Sequence, residues 1–230
     1  MTENKLLKIA LLLSIITIAY NVAEGIVSIY YGLEDGTLSL LGFGSDSFVE
    51  VISGIGIAHM VLRMRYSKIQ QRDKFEKTAL MVTGISFFIL TVGIIIGSAI
   101  NIIQNNKPLT TLPGLIIASL SILTMYFLMR AKLKIGKKLN SDAIIADANC
   151  TKSCLYLSVV LLVSSGLYMI FQIGYIDILG SLAIAWFTFK EGREAFEKSN
   201  SNQLNCCRYN NFCQKQDEIV NIIQLFLFNA

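Results

Sequence analysis

TALMVTGISFFILTVGIIIGSAINIIQNN, residues Thr78–Asn106, runs for 29 residues without a charge. A helix crosses the roughly 30 Å hydrocarbon core of a bilayer with about 20 predominantly apolar residues. This stretch therefore predicts a transmembrane helix, and its neighbours repeat the pattern. Pro108–Met129 is also free of charge, Lys8 to Glu34 encloses only Glu24, and Gly36–Leu62 holds only Asp46, Glu50 and the neutral His59. Over the whole chain of 230 residues, 53% are hydrophobic and 16% charged, against about 25% charged in soluble domains. That composition excludes an ordinary soluble enzyme, and a net charge of +4 does not call for a nucleic-acid partner.

The remaining spans need arithmetic. Between Lys152 and Lys190 lie 37 residues with one charge, Asp177, whereas two spans and a turn need roughly 42. The fifth helix must start before Lys152, drawing in Asp147, Cys150 and Lys152, and the sixth must run past Lys190. The reading is an all-α integral membrane fold of six transmembrane helices over residues 1–198. A short tail follows over 199–230, partly disordered or interfacial, carrying Cys206, Cys207 and Cys213 at spacings that fit neither a zinc knuckle nor a ribbon. A signal peptide is the rival reading of the first segment, but the apolar run continues to Leu33, too long for a signal h-region.

Loop charge predicts the orientation. Arg63–Lys77 and Arg130–Lys138 read as loops rich in Lys and Arg, while Gly32–Thr37 and Gln172–Asp177 have no cation and Gln104–Thr111 has only Lys107. Both termini are expected in the cytoplasm, and the chain in a plasma or inner membrane.

Ionisable residues inside spans cost roughly 2.5–3.5 kcal/mol each on insertion scales, and they mark pathways or sites. Asp46 and Glu50 are four apart, on one face of the second helix. Two stacked carboxylates repel unless a cation lies between them. Cys150 and Cys154 repeat this spacing on the fifth helix, and thiolates favour zinc and softer ions. Asp46 sits about 15 Å from one end of its helix and Cys150 about 12–15 Å from the other, so the pairs are expected at similar depth, as one tetrahedral site of the kind zinc takes. Asp147, three residues before Cys150, reads as a fifth ligand, an ion-path residue or a helix-start cap. Asn21 and Glu24 in the first span read as a proton or ion route, or as a polar contact between helices. Lys152 is expected to snorkel toward the cytoplasm, and Trp186 and Tyr175 to occupy the membrane belt.

Asp46-Ser47-Phe48-Val49-Glu50 resembles the Asp-Ser-x-x-Asp motif in the second helix of the cation diffusion facilitator, or cation efflux, family. Ala146-Asp147-Ala148-Asn149-Cys150-Thr151-Lys152-Ser153-Cys154 resembles that family's Ala-Asp-x-x-His-x-x-x-Asp motif, with Cys150 and Cys154 in place of His and Asp. Asn21-Val22-Ala23-Glu24-Gly25, Ser39-Leu40-Leu41 and Asp177-Ile178-Leu179-Gly180-Ser181 resemble its first helix and the starts of its second and sixth. The likeness covers about residues 10–195. It implies a transporter rather than an enzyme, exporting a divalent transition metal in exchange for protons by alternating access, as a homodimer, with no resident cofactor. The cytoplasmic metal-binding domain usual after the sixth helix is replaced here by the short tail. Zn²⁺ or Cd²⁺ is the expected ion. The alternatives are a membrane thiol redox protein using Cys150 and Cys154, and a metal sensor that transports nothing.

Overall fold

A chain in hydrocarbon must satisfy its backbone polar groups internally, which leaves helices as one of two solutions. The computed structural model describes residues 3–67, 74–104, 108–109 and 111–200. These fold as α1 (Glu3–Asp35), α2 (Leu38–Ser67), α3 (Lys74–Gln104), α4 (Leu112–Leu139), α5 (Asp142–Phe171) and α6 (Tyr175–Asn200), with no strand among the described residues. Helices α1 to α5 are long and apolar enough to cross a membrane; α6 falls short on these criteria. Its second half carries Lys190, Glu191, Arg193, Glu194, Glu197 and Lys198, which dilutes an otherwise apolar helix. As the arithmetic required, α5 begins well before Lys152 and α6 continues beyond Lys190. The cysteines of the 199–230 tail lie outside the described residues.

The turns are tight where the sequence permits left-handed backbone. Gly36 (φ 66°) lies between α1 and α2, Asn140 (φ 47°) closes α4, and Gln172 (φ 51°) closes α5. Glycine takes this conformation without penalty and asparagine with little. The Asn140–Ser141 turn reverses the chain at once, so α4 is continuous where the basic segment Arg130–Lys138 reads as a loop. Tolerance for cations near a helix end explains the difference: the terminal carbonyls of α4 favour Lys137 and Lys138 in its last turn.

The helices pack chiefly as α1 on α2, α3 on α6 and α4 on α5. Lipid gives little drive for association, so small residues and interhelical hydrogen bonds do the joining. Thr91 meets Thr188 at 2.9 Å and Ser98 meets Ser181 at 3.0 Å between α3 and α6. Ser121 meets Ser158 at 2.8 Å between α4 and α5. Gly44 lets α2 approach α1: a Cβ there would lie 2.7 Å from that of Ser28 and 3.0 Å from the Ile29 nitrogen. Leu40 and Phe43 of α2, Ile94 of α3, Ala118 of α4, Leu157 and Leu161 of α5 and Ile184 of α6 close a shared core. The outer surface is apolar, with Ile89, Ile103, Ile170 and Trp186 all more than 65% exposed, as a lipid-facing surface requires.

Two contact sets define the ends of the bundle. At one end, Asp177 of α6 accepts the Leu38 N–H at 2.9 Å and the Ser39 N–H at 3.2 Å, and also the Ser39 hydroxyl. It thereby satisfies backbone donors that the start of α2 leaves open. Tyr168 donates to the Pro108 carbonyl (2.6 Å) and Leu109 N–H to the Asp35 carbonyl (2.8 Å) at this same end. At the other, Leu6, Leu7 and Ala10 pack with Val61, Ile135 and Ile144. The start of α1, the far part of α2 and the α4–α5 turn therefore share that second end, beside Lys5, Lys8, Arg63, Lys134, Lys137 and Lys138.

Candidate functional site

Helices α1 and α2 run antiparallel in a register fixed by their small residues. Asn21 Nδ2 donates to Glu50 Oε2 at 3.0 Å, and one turn along, Ser47 Oγ donates to Glu24 Oε2 at 3.1 Å. Helix α5 approaches the same place: the Cys154 thiol donates to Glu50 Oε2, the oxygen that Asn21 also contacts. A carboxylate from α2 and a thiol from α5 thus touch inside the bundle.

Asp46 lies one turn from Glu50 and is 3% exposed; its Oδ1 has no hydrogen-bond partner in the protein. Glu24 Oε1 and Asn21 Oδ1 are buried without partners as well. Ser121 of α4 and Tyr20 of α1 lie within hydrogen-bonding reach of the Glu24 carboxylate. The negative potential is deepened by Glu24 of α1 and, from a direction the motifs did not show, by Glu191 of α6, both of which act on Asp46 and Glu50. Buried acceptors without donors are uncommon in native proteins and call for an explanation. Here the acceptors cluster around two carboxylates, where a cation is the natural complement.

The four residues proposed as ligands are not gathered equally. Glu50 and Cys154 are in contact, Asp46 lies within electrostatic reach of both, and Cys150 is half-buried one turn from Cys154. Among the described residues, no group of three or more His, Cys, Asp and Glu side chains is arranged to hold a metal ion. A tetrahedral set would require α5 and α2 to close further on each other, with the Cys154 proton leaving.

Asp147 belongs to a neighbouring cluster, whose Lys132 also acts electrostatically on Glu50. Its Oδ1 accepts from Lys132 Nζ at 2.8 Å and its Oδ2 from Ser14 Oγ at 3.2 Å; Lys132 also donates to Thr151 Oγ1 at 2.9 Å. The Lys132 and Asp147 side chains are 2% and 8% exposed. Lys132 is thus a buried cation of α4, where the sequence reading put it in a basic loop. Both oxygens of Asp147 are engaged, so a ligand role would first require the ion pair to part.

Order, spacing and helix count now agree with a comparison to known families. The sequence model of the cation efflux transmembrane domain matches residues 7–202. The chain belongs to the cation efflux family. The match spans all six helices, from the first turns of α1 to the end of α6, and a cation efflux domain makes this protein a multi-pass membrane cation transporter. Among curated proteins no relative matches the chain.

Proposed function

We propose that this cation efflux protein exports a divalent transition-metal ion, Zn²⁺ or Cd²⁺, through a site formed by Asp46, Glu50, Cys150 and Cys154. The observation that carries the reading is the Cys154–Glu50 contact between α2 and α5, with the unpartnered Asp46 oxygen one turn away. A thiol donating to a carboxylate is a protonated, metal-free arrangement. Metal needs the thiolate and both carboxylates as acceptors, so loading must release protons. Metal and protons then exclude one another at the same atoms, which supplies the coupling for exchange.

Thiolates select zinc-like ions over Mg²⁺, Ca²⁺ and Mn²⁺, which prefer oxygen. The Lys- and Arg-rich end of the bundle faces the cytoplasm under the positive-inside rule. Metal therefore enters between α2 and α5 from the end holding the α4–α5 turn and leaves past the Asp177 cap. The protein works as a homodimer in this reading, and no resident cofactor takes part.

The test is flux into proteoliposomes for Zn²⁺, Cd²⁺, Co²⁺, Fe²⁺ and Mn²⁺, with an internal pH indicator. Zn²⁺ and Cd²⁺ uptake should be accompanied by proton movement in the opposite direction, and Mn²⁺ should be poor. Equal Mn²⁺ and Cd²⁺ transport, or metal flux with no proton movement, would defeat the thiol assignment or the exchange mechanism respectively.

A further inference from the structure

Helix α6 turns a stripe of seven-residue spacing toward α2: Asp177, Ile184 and Glu191. Seven residues are close to two turns, so the three side chains leave one face. Contacts place the first two. Asp177 accepts from Ser39 of α2, and Ile184 stands 3.5 Å from where a Cβ on Gly42 of α2 would lie. Both helices advance together between these contacts, so they run parallel. Counted from the Gly42–Ile184 contact, Glu50 and Glu191 lie about 12 and 10 Å further on, and Asp46 about 6 Å. Glu191 thus faces α2 at the level of Glu50, about a turn to the basic side of Asp46. Its charge acts on both carboxylates.

Packing differs on the two sides of this level. Toward the Asp177 end, Leu40, Phe43 and Ile184 are 0%, 2% and 0% exposed. Toward the basic end, Glu50, Val51, Ile52, Ser53 and Gly54 are all half-buried, as is Glu191. Five successive residues sample the whole circumference of a helix at about 100° each, so no face of α2 is fully covered there. We propose that Glu191 is the entry carboxylate of the export path: it draws the divalent cation in from the basic end and passes it to Glu50, outside the final ligand set. This rests on the export reading and adds a residue of α6 to it. The need is electrostatic. Lys5, Lys8, Arg63, Lys134, Lys137 and Lys138 crowd the end from which the metal comes, and they repel it. A carboxylate in the mouth raises the local cation concentration and speeds arrival. Such a charge acts on the association rate and its salt dependence, whereas loss of a ligand would stop transport.

The test is the initial rate of Cd²⁺ uptake by the full-length chain in everted membrane vesicles, whose cytoplasmic face is outward, over a range of Cd²⁺ and of choline nitrate. Glu191→Gln should raise KM about fivefold or more, within the range that steering supplies, with kcat within about twofold. Its KM should also depend less on ionic strength, and Glu191→Asp should recover most of the loss. Glu197→Gln removes the same charge from the same helix at an exposed position paired with Arg193, and should match the unaltered protein. An unchanged KM in Glu191→Gln would overturn the proposal, as would an equal rise in Glu197→Gln or a loss confined to kcat. Should Glu191→Gln not fold, the unaltered protein decides: its KM should climb with ionic strength, because a half-buried charge is screened where a buried one is not, and a flat KM would overturn the proposal. Failure of the export reading looks different, since the unaltered protein would then take up no Cd²⁺ at all.

Discussion

Two polar clusters are buried in this bundle, and they differ in how completely their hydrogen-bonding capacity is met. Around Asp147, Lys132 of α4 and Ser14 of α1 donate to the two carboxylate oxygens, and Thr151 accepts a further bond from Lys132. Around Asp46, the polar atoms of Asn21, Glu24 and Asp46 include three acceptors with no partner, and Glu191 adds further negative potential. Burial and charge alone would rank the clusters together. Satisfaction separates them: a neutralised, saturated cluster fastens helices, whereas an acidic cluster with spare acceptors is built to receive a cation.

The largest effect is expected from breaking the saturated cluster on one side only. Lys132→Met leaves the Asp147 carboxylate buried and uncompensated, which costs about 3–5 kcal/mol. Folded yield from membranes and the unfolding midpoint should both collapse. Adding Asp147→Asn should restore most of the loss, since a neutral pair in place of a buried ion pair is often near neutral in stability. A Lys132→Met protein with an unchanged midpoint would show that the ion pair does not fasten α4 to α5.

The open cluster should behave in the opposite manner. Asp46→Asn removes one of several mutually repelling charges and breaks no bond to its Oδ1. We expect transport of Zn²⁺ and Cd²⁺ to fall to background while the unfolding midpoint stays at or above that of the unaltered protein. Normal flux in Asp46→Asn would place the ion elsewhere. Loss of folded protein instead would move Asp46 into the structural class with Asp147.

An intermediate effect is expected at α5. Cys150→His with Cys154→Asp exchanges soft donors for harder ones, so preference should move from Cd²⁺ toward Zn²⁺ in competition flux. Apparent affinity should also depend less steeply on pH. Thiols, with an ordinary pKa of about 8.5, must give up protons to bind near neutrality, whereas a neutral imidazole and a carboxylate largely need not. An unaltered ion ranking and pH slope would remove the thiols from the site.

Ser14→Ala should be the mildest change, about 0.5–1.5 kcal/mol for one hydrogen bond, with ion preference untouched. An altered ranking in this variant would show that the two clusters act as one.

Charge-free stretches made most of the fold legible in advance. Thr78–Asn106 needs no context to be read as a span, and the shortage of residues between Lys152 and Lys190 required α5 to start early. What could not be read was which basic residue turns inward. Arg130, Lys132, Lys134, Lys137 and Lys138 look alike in sequence, and only the rotation of α4 about its axis selects Lys132. One signal was present: Asp147 inside a span needs a cation, and α4 ends only a short turn before α5, so after Lys152 its basic residues were the next nearest in the chain. The α2 and α5 motifs were legible because four-residue spacing fixes a shared face. The exact pairing of Glu50 with Cys154, and the reach of Glu191 from α6, depend on helix register and tilt, which periodicity does not encode. The low apolarity of α6 follows from its charged last turns, which the count of residues between Lys152 and Lys190 did not weigh.

The central claim is that thiols of α5 and carboxylates of α2 bind one ion together. X-ray absorption at the cadmium edge tests it directly, on protein whose tail residues Cys206, Cys207 and Cys213 are replaced by Ser and which is loaded with one Cd²⁺ per chain. The account predicts a mixed shell of sulfur and oxygen that loses its sulfur in Cys150→Ala/Cys154→Ala and weakens in Asp46→Asn. A shell of oxygen alone in the parent protein, or a sulfur signal that survives loss of both α5 cysteines, would contradict it.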